Sequence, residues 1–432
     1  MREMKDSGVA WIGEIPKSWN LERLQWHISE IKETNKPEKT KQILSLTNKR
    51  GVIPYEEKGA QGNVSKEDFS QYKLAYPDTI VANSMNVLIG SVGKCNYYGC
   101  VSPVYYVYKP NDGENLEFIN YIFQTEQFQK ELRRYANGIL EIRLRVSSDG
   151  ILKRKVAFPS TDEQQKIVIY LNQKLSQVDS LIANVQAQIE KLKAYKQSLI
   201  TEVVTKGLGP NAPMKDSGVE WIGEIPAHWG TAKLQYCAEL RSGITLGKKY
   251  PKDIKLVERP YLRVANVQSG GVTLENIKTV QVTEEEDAQY RLTAGEVLMT
   301  EGGDRDKLGR GCVWNGQIEP CLHQNHIFAL RTSKNLDPQF LSYVTASKIG
   351  RVYFDITAIK TTNLACTNSS KVLAFKLPLP PIAEQQGITV HLNNKCSQIE
   401  QLISLKESKI EKLQQYKRSL IYEYVTGKKE VV

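Results

Sequence analysis

The stretch DEQQKIVIYLNQKLSQVDSLIANVQAQIEKLKAYKQSLITEVVT at positions 162–205 decides the architecture of this chain. It aligns without gaps to AEQQGITVHLNNKCSQIEQLISLKESKIEKLQQYKRSLIYEYVT at positions 383–426. In both copies apolar residues recur at alternating steps of four and three, which is the heptad spacing of a coiled-coil seam. Neither copy contains Pro or Gly between 171 and 203 or between 392 and 424. Each copy therefore predicts a rigid helix of roughly 50 Å.

The two predicted seams are apolar except at a few lysines. A single helix of this kind exposes a stripe that it cannot bury alone, so two copies in one chain supply each other's partner. We predict antiparallel pairing, because it places the segments between the repeats at opposite ends. The first seam consists of Leu171, Leu175, Val178, Ile182, Val185, Ile189, Leu192, Leu199 and Val203, with Lys196 in the polar position. The second consists of Leu392, Cys396, Ile399, Ile403, Ile410, Leu413, Leu420 and Tyr424, with Lys406 and Lys417 in the polar positions.

A second motif is also present twice, as MKDSGVAWIGEIP at 4–16 and MKDSGVEWIGEIP at 214–226. Twelve of the thirteen positions agree, which indicates duplication of half the chain. The offset is 210 residues for this motif and 221 for the helices, so the segments between them differ by eleven residues. The duplicated parts are therefore constant, whereas the segments that they enclose have diverged.

The enclosed segments are rich in Val, Ile, Tyr and Gly, which predicts short strands joined by glycine turns. Each also carries a helical stretch near its end, EFINYIFQTEQFQKELRR in one and PQFLSYVTASKIGRVYF in the other. The predicted fold class is α+β, with a pseudo-two-fold internal repeat. The predicted parts are a strand-rich globule at 1–160 with the motif at 4–17, a helix at 161–206, a second globule at 207–380 with the motif at 214–227, and a helix at 381–432.

Composition indicates a globular protein with a basic surface. The chain has 432 residues, 41% of them hydrophobic and 25% charged, and a formal net charge of +10. No apolar run approaches the roughly 18 residues that span a bilayer, and the N-terminus is charged where a signal peptide would be apolar. Seven cysteines at irregular spacings favour a reducing compartment, so we expect a cytoplasmic protein without a membrane partner. The excess positive charge favours nucleic acid as the partner.

Basic and amide residues cluster in the turn-rich parts of both globules, where we predict contacts to double-stranded DNA. Arg and Lys neutralise phosphates, and Arg with guanine or Asn and Gln with adenine form the pairs that discriminate bases. In the first globule the candidates are Lys49, Arg50, Asn83, Ser84, Asn86, Ser91, Lys94, Arg143 and Arg145. In the second they are Lys248, Lys249, Arg263, Asn266, Arg305, Lys307, Arg310, His323, Gln324, Asn325, Lys360, Thr361, Thr362 and Asn363.

Catalytic motifs are absent from the sequence. SGITLGKKY lacks the spacing of a phosphate-binding P-loop, and GGDRDKLGRG lacks that of a dinucleotide fingerprint. Cys312, Cys321, His323 and His326 supply zinc-ligand types, but their spacing is unusual for a structural site. For the turn at 323–326 we therefore keep three interpretations open, namely a base-reading loop, a structural turn and a zinc site.

The phrases KDSGVEWIGEIPAHW, LPLPPIAEQQ and IEKLQQYKRSLIYEYVTGK each occur twice in related form, and they resemble the constant regions of DNA-specificity subunits of Type I restriction-modification enzymes. GGDRDKLGRGCVWNG with CLHQNH, and NSMNVLIGSVGKCNYYGCVSPVYYV, are similar to recognition-domain types of that family. The resemblance implies that each globule is a target recognition domain for one half of a bipartite, asymmetric DNA site. It implies that the helices form the spacer.

The resemblance also implies a chain without catalysis or a cofactor of its own. Two modification subunits would bind S-adenosylmethionine and methylate adenine, and restriction subunits using ATP and Mg would join them. Two alternatives stay open. A solitary DNA-modifying enzyme would need a cofactor loop that the sequence does not show, and a purely structural coiled-coil protein would leave two basic, divergent globules unexplained.

Overall fold

The computed structural model describes residues 2–47, 50–58, 69–138, 144–268, 270–303, 308–309, 311–360 and 365–431. The chain forms two compact units. The first unit comprises Met1–Gln186 and Ser408–Val432, and the second comprises Ala187–Glu407. Each unit contains one strand-rich globule together with a segment of each of two long helices.

The globule of the first unit is centred on a four-stranded antiparallel sheet with the strand order β4-β11-β8-β9. Smaller pairs, β5 with β6 and β7 with β10, extend the fold beside it. The strands are β1 (Met4–Asp6), β2 (Glu14–Pro16), β3 (Asn20–Arg23), β4 (Ile28–Ile31), β5 (Leu44–Thr47), β6 (Gly51–Pro54), β7 (Lys73–Ala75), β8 (Thr79–Asn83), β9 (Val92–Cys95), β10 (Gly99–Val101), β11 (Tyr105–Pro110), β12 (Ala136–Asn137), β13 (Arg145–Val146) and β14 (Lys155–Phe158). The helices are α1 (Leu116–Phe123), α2 (Glu126–Arg133), α3 (Ser148–Leu152) and the long α4 (Thr161–Lys206).

The globule of the second unit is centred on a sheet of the same kind, with the order β18-β27-β23-β25. A further sheet, β22-β19-β26, contains a parallel pair between β19 and β26. The strands are β15 (Met214–Asp216), β16 (Glu224–Pro226), β17 (Gly230–Lys233), β18 (Ala238–Ser242), β19 (Val257–Leu262), β20 (Val267–Gln268), β21 (Gly271–Val272), β22 (Lys278–Val282), β23 (Val297–Thr300), β24 (Gly302–Gly303), β25 (Gly311–Val313), β26 (Leu322–His323), β27 (Ile327–Thr332), β28 (Ile359–Lys360), β29 (Ala365–Cys366) and β30 (Lys376–Leu379). The helices are α5 (Glu284–Tyr290), α6 (Pro338–Ala346), α7 (Lys348–Thr357), α8 (Ser369–Ala374) and the long α9 (Ile382–Val425).

The two globules share one plan and differ in their additions. A helix pair follows the last strand of the central sheet in both, α1 and α2 in the first unit and α6 and α7 in the second. Asn115, Thr125 and Asp337 accept hydrogen bonds from backbone amides at the starts of these helices, which satisfies donors that a helix leaves free. In chain order, β19 to β22 with α5 lie between β18 and β23, and β26 lies between β25 and β27, as β5 to β7 and β10 do among the central strands of the first unit.

The predicted helical seams are confirmed at every position, since each seam residue is buried or half-buried. Within the first unit the Tyr170 ring lies 4.7 Å from the Tyr424 ring, and Lys417 Nζ lies 2.7 Å from Asp179 Oδ1. Residues later in α4 therefore contact residues earlier in α9, as antiparallel pairing requires. In the second unit Gln188 pairs with Lys406 at 2.5 Å, and Lys196 pairs with Glu400, in the same antiparallel sense.

The first repeated motif, a hairpin of β1 and β2, joins the two long helices within the first unit. Trp19 follows the hairpin and donates from Nε1 to Glu163 Oε2 at 3.0 Å, at the start of α4. Gly427, at the end of α9, has a φ of +72°, and a Cβ there would lie 2.5 Å from Pro16 Cδ. The motif therefore contacts both the start of α4 and the end of α9 and holds them together.

The second copy of the motif repeats this arrangement within the second unit. Trp229 Nε1 donates to Glu384 Oε2 at 2.6 Å, at the start of α9. Gly207 follows the end of α4 with a φ of +74°, and a Cβ there would lie 3.0 Å from the Trp229 ring. The chain carries the motif twice because it has two such junctions to close.

Candidate nucleic-acid interface

Two of the predicted site residues of the first globule, Arg50 and Lys94, line one polar cleft of about 670 Å³. Arg50 lies in the turn between β5 and β6, and Lys94 lies on β9. A Cβ on Gly93 would lie 2.8 Å from the Gly51 Cα, so only glycine lets these two backbones approach so closely. This close packing brings the two cations to the same cleft.

The cations of this cleft are held by ion pairs at the protein surface. Arg50 pairs with Glu57, and Lys94 Nζ lies 3.1 Å from Asp78 Oδ1. Arg418 on α9 also lines the cleft, and its Nε lies 2.8 Å from Glu126 Oε1. Exposed pairs of this kind contribute little stability, on the order of 0–1 kcal/mol. Each cation can therefore exchange its carboxylate for a phosphate at small cost.

The cleft also contains side-chain amides that were not among the predicted site residues. Asn120 on α1, Gln129 on α2 and Gln124 between the two helices line it beside Asn96. Asn120 is only 5% exposed, and its Oδ1 has no hydrogen-bond partner among the described residues. The sequence predicts a helical stretch in this region, but only the three-dimensional fold shows that it borders a cleft.

Five of the predicted site residues are buried, and two of them hydrogen-bond the backbone of their own turns. Asn83 Oδ1 accepts a hydrogen bond from the Met85 amide at 3.0 Å and so closes the turn after β8. Asn266 accepts from the Arg263 amide at 2.9 Å and donates to the Thr273 carbonyl at 3.0 Å. Short polar side chains satisfy turn backbones in this way, which uses the groups that a base would need. The buried residues are Asn83, Ser84, Ser91, Asn266 and His323, and their contact with DNA stays a prediction.

Two loops of the second globule that the sequence selected independently lie together. The backbone N–H of Gln324 donates to the Leu262 carbonyl, and the backbone N–H of Asn325 donates to the Ile244 carbonyl, both at 2.9 Å. A Cβ on Gly243 would lie 2.1 Å from the His323 carbonyl oxygen, so the two segments are in tight backbone contact. The turn at 323–326 thus packs against the segment that leads to Lys248 and Lys249.

The surface cations of this region are available to a ligand to different degrees. Lys248 Nζ lies 2.6 Å from Glu286 Oε1, and this hydrogen bond raises the pKa of the lysine. Arg263 is half-buried and donates from Nη2 to the Asn276 carbonyl at 3.0 Å. Lys249 is exposed, whereas Gln324 and Asn325 are half-buried. In the first globule Asn86 and Arg145 are exposed in the same way.

Several predicted contacts fall in segments that the structure does not describe. The side chain of Lys360, which ends β28, is also outside the description. For these residues DNA contact stays a prediction. They are Lys49, Arg143, Arg305, Lys307, Arg310, Thr361, Thr362 and Asn363.

The zinc interpretation gains no support from the geometry. Burial raises the pKa of the Cys312 and Cys321 thiols to about 12, so both are protonated at neutral pH. His323 is fully buried, and burial lowers its pKa to about 4, whereas His326 is exposed and lies 2.6 Å from Glu301 Oε2. Among the described residues no group of three or more His, Cys, Asp or Glu is arranged to hold a metal ion. In the same part of the chain, no helix combines the length and apolar character that a membrane span requires.

Three curated proteins match substantial parts of the sequence. The chain is 27% identical over 208 residues to the putative type I restriction enzyme MjaX specificity subunit of Methanocaldococcus jannaschii, covering 48% of this chain and 47% of that protein. It is 24% identical over 277 residues to the type I restriction enzyme EcoKI specificity subunit of Escherichia coli K12, covering 63% and 56%. This chain is a relative of type I restriction enzyme specificity subunits.

A third relative, the StySPI specificity subunit of Salmonella potsdam, is 24% identical over 237 residues, with 54% of this chain and 48% of that protein covered. The chain spans about half the length of the curated specificity subunits that it matches. No family model matches the chain. The resemblance inferred from the repeated phrases is nevertheless confirmed by these relatives.

Solved structures of specificity-subunit type share the fold at low sequence identity. One chain, from a structure concerned with complex assembly and conformational transition of the type I R-M system, has a TM-score of 0.71 at 14% identity and covers 95% of this chain and 98% of its own length. The HsdS subunit from Thermoanaerobacter tengcongensis has a TM-score of 0.53 at 14% identity, with 96% and 98% covered. The predicted fold class is confirmed.

One side of the long helices has a higher sequence identity between the two copies than their other exposed positions have. We call it the outer stripe, and it follows the g and c heptad positions, adjacent to the seam. Seven of its nine positions are identical between the two helices, which include the half-exposed pairs Leu181/Leu402 and Tyr195/Tyr416. The outer stripe consists of Lys174, Gln177, Leu181, Asn184, Gln188, Lys191, Tyr195, Ser198 and Glu202 on α4, and Lys395, Gln398, Leu402, Leu405, Lys409, Lys412, Tyr416, Ser419 and Glu423 on α9.

The remaining exposed positions of the same helices have diverged. Between residues 172 and 197 only three of twelve match their counterparts 221 residues later, namely Asn172, Ser176 and Glu190. The globules contact this side, since Asn172 bonds Tyr121 in the first unit and Asn393 bonds Tyr343 at 2.6 Å in the second. Comparing the two copies in one sequence, face by face, would have revealed the outer stripe.

Proposed function

We propose that this chain is the DNA-specificity subunit of a type I restriction-modification enzyme and has no catalytic step of its own. Each globule reads one half of a bipartite, asymmetric DNA target. The long helices set the distance between the half-sites and dock the modification subunits. Those subunits carry S-adenosylmethionine, and restriction subunits that use ATP and Mg complete the complex.

One observation supports the half-site assignment above the others. Both globules have the same central strand order, but different strands carry their polar loops. These are β5, β6 and β9 at the cleft of the first globule, and β19 and β26 in the second. Two domains that recognise different base sequences need different polar surfaces on a shared fold, because base identity is read by side-chain donors and acceptors. The relatives named as specificity subunits support the same assignment.

A domain exchange tests the half-site assignment. Residues 18–160 are replaced by the matching segment of another specificity subunit, and the chimera is expressed with modification subunits. Methylation mapping of the host genome should show one altered half-site and one unchanged half-site. An altered sequence in both halves would contradict independent reading by the two globules.

The outer stripe supports docking of two copies of one partner subunit. Seven identical positions on each helix present the same chemistry twice, so a subunit that fits one copy also fits the other. Leu181 and Tyr195 lie two heptads apart, so they lie on the same side of α4, and both are about half exposed. Apolar and aromatic side chains of this kind are typical anchors of protein interfaces, and flanking Lys191 and Glu202 supply a charged rim.

A further inference from the structure

Each globule carries an unfavourable pair of like charges at its junction with the helices. Arg23 on β3 is directly opposite Lys155 on β14, and Lys233 on β17 is directly opposite Lys376 on β30. Residues directly opposite in an antiparallel pair project from the same face, where two like charges destabilise the strands. The two pairs occupy equivalent positions of the repeat, so the arrangement has been kept twice.

Neither pair is neutralised by a carboxylate in the part of the chain that the structure describes. Arg23, Lys155 and Lys233 are exposed, Lys376 is half-buried, and none of the four has an ion pair among the described residues. Glu22, the neighbour of Arg23 on β3, lies instead 2.9 Å from His27 Nε2. Cations elsewhere in the same units, such as Lys73 and Arg241, have carboxylate partners within 3.2 Å. An external anion is the partner that this geometry lacks.

A large exposed aromatic residue follows each charge pair. β3 and β17 both lead into a short turn of 3-10 helix, anchored by the fully buried Leu24 and Leu234. The turns then present Trp26, which is 58% exposed, and Tyr236, which is 74% exposed. A single exposed aromatic ring is ordinary on a protein surface, but both copies of the repeat present one at the same position, next to the charge pair, which points to a shared ligand.

We propose that these two clusters are phosphate anchors, which hold the sugar-phosphate backbone of DNA at both half-sites without reading its sequence. The proposal rests on the proposed function, because it takes DNA as the ligand. Loops that read different bases diverge between the globules, whereas a surface that contacts phosphate meets the same chemistry at either half-site. The first cluster is Arg23, Gln25, Trp26 and Lys155, and the second is Lys233, Gln235, Tyr236 and Lys376.

Salt-dependent binding of a duplex of unrelated sequence tests the anchors, because such binding depends on phosphate contacts alone. The full chain is compared with the double variants Arg23→Ala/Lys155→Ala and Lys233→Ala/Lys376→Ala by fluorescence anisotropy over a range of KCl concentrations. Each double variant should lower the slope of log affinity against log salt by about two, at about 0.9 per lost phosphate contact. Arg23→Lys should keep the wild-type slope.

The matched control removes the same charge elsewhere. Lys32 and Lys334 are exposed and without an ion pair among the described residues, so Lys32→Ala/Lys334→Ala should leave the slope near the wild-type value. Melting temperatures report on folding, and each anchor variant should melt no lower than wild type, because it removes a like-charge repulsion. Trp26→Ala should weaken binding without changing the slope, and Trp26→Phe should restore the affinity.

The outcomes separate the anchors from the proposed function. An unchanged slope in both double variants overturns the anchors. Unchanged DNA binding together with loss of a co-expressed modification subunit also overturns them, because the clusters would then contact protein. If the wild-type chain itself showed no salt-dependent binding, the proposed function would fail before the anchors were tested.

Discussion

Since the duplication, the outer stripe of the helices has stayed nearly the same in both copies, whereas the polar loops of the globules have diverged. Seven of nine stripe positions are identical between α4 and α9, whereas the predicted cations lie at the β5-β6 turn and β9 in the first globule, and those at Lys248 and Lys249 follow β18 in the second. A surface kept twice is expected to meet the same partner twice. A surface that differs between the copies is expected to meet two different ligands.

The largest effect should follow from breaking the surface that is kept twice. Leu181→Glu/Leu402→Glu places a charge on each copy of the outer stripe, where burial against a partner would cost several kcal/mol. Co-expression with modification subunits should then yield the unassembled chain, and genome methylation should be lost. Leu181→Glu alone should leave one docking copy intact, so native mass spectrometry should find a single modification subunit bound.

Ser180→Glu/Gln401→Glu is the matched control for the stripe variants, since it adds the same charges one residue earlier, on the diverged side. It should assemble and methylate as wild type does. Equal damage by the control and the stripe variants would mean that added charge, rather than the outer stripe, prevents assembly.

The next effect should be a change in half-site separation. Gln188 and Lys406 are paired across the helices, so insertion of one heptad after each of them keeps the seam in register. Seven residues lengthen each helix by about 10 Å. At about 3.4 Å per base pair, the unread spacer in the methylated sequence should grow by about three base pairs, with both half-sites unchanged. Retention of the original spacer would show that the helices do not set it.

The helices could be predicted residue by residue, whereas the sites of the globules could not. A heptad is a local, periodic signal, and even the polar seam positions Lys196, Lys406 and Lys417 are explained by a partner on the other helix. Asn83 and Asn266 show what residue type leaves open, because the same amide that can read adenine can also close a turn. Composition cannot distinguish these uses, which depend on which backbone amides lie nearby.

The charge pairs of the anchors show a different limit of sequence reasoning. Arg23 and Lys155 lie far apart in the chain, and only the register of β3 against β14 makes them neighbours. The cleft amides Asn120 and Gln129 were missed for a related reason, since a helix pattern shows a polar face but not what borders it. Long-range pairing, rather than residue type, is the information that the sequence lacked.

An intermediate effect should follow from changing a loop surface that differs between the copies. Arg50→Ala/Lys94→Ala removes two cations from the cleft of the first globule, and each lost phosphate contact should lower the salt slope by about 0.9. If one of them reads guanine, discrimination at one position of the first half-site should fall by about 1–3 kcal/mol. Methylation mapping should show relaxation confined to one half. Relaxation in the other half would contradict the assignment of this cleft.

The smallest effect concerns His323, a buried histidine on β26 of the second globule. Burial lowers its pKa to about 4 from an ordinary value of 6.5. The unfolded chain therefore binds a proton between these values that the folded chain does not, so the stability is complete above about pH 6.5 and falls as the pH decreases towards 4. At about 1.36 kcal/mol per pKa unit, the loss at pH 4 is about 3 kcal/mol.

His323→Gln removes this titration while keeping a polar side chain at the same place. Wild type should therefore lose more melting temperature than His323→Gln between pH 7 and pH 5, whatever the difference between them at pH 7. His326→Gln, which changes the exposed histidine of the same turn, should follow wild type. Parallel losses in wild type and His323→Gln would show that the acid sensitivity arises elsewhere, and the β22-β19-β26 sheet would then not be the part that acid weakens first.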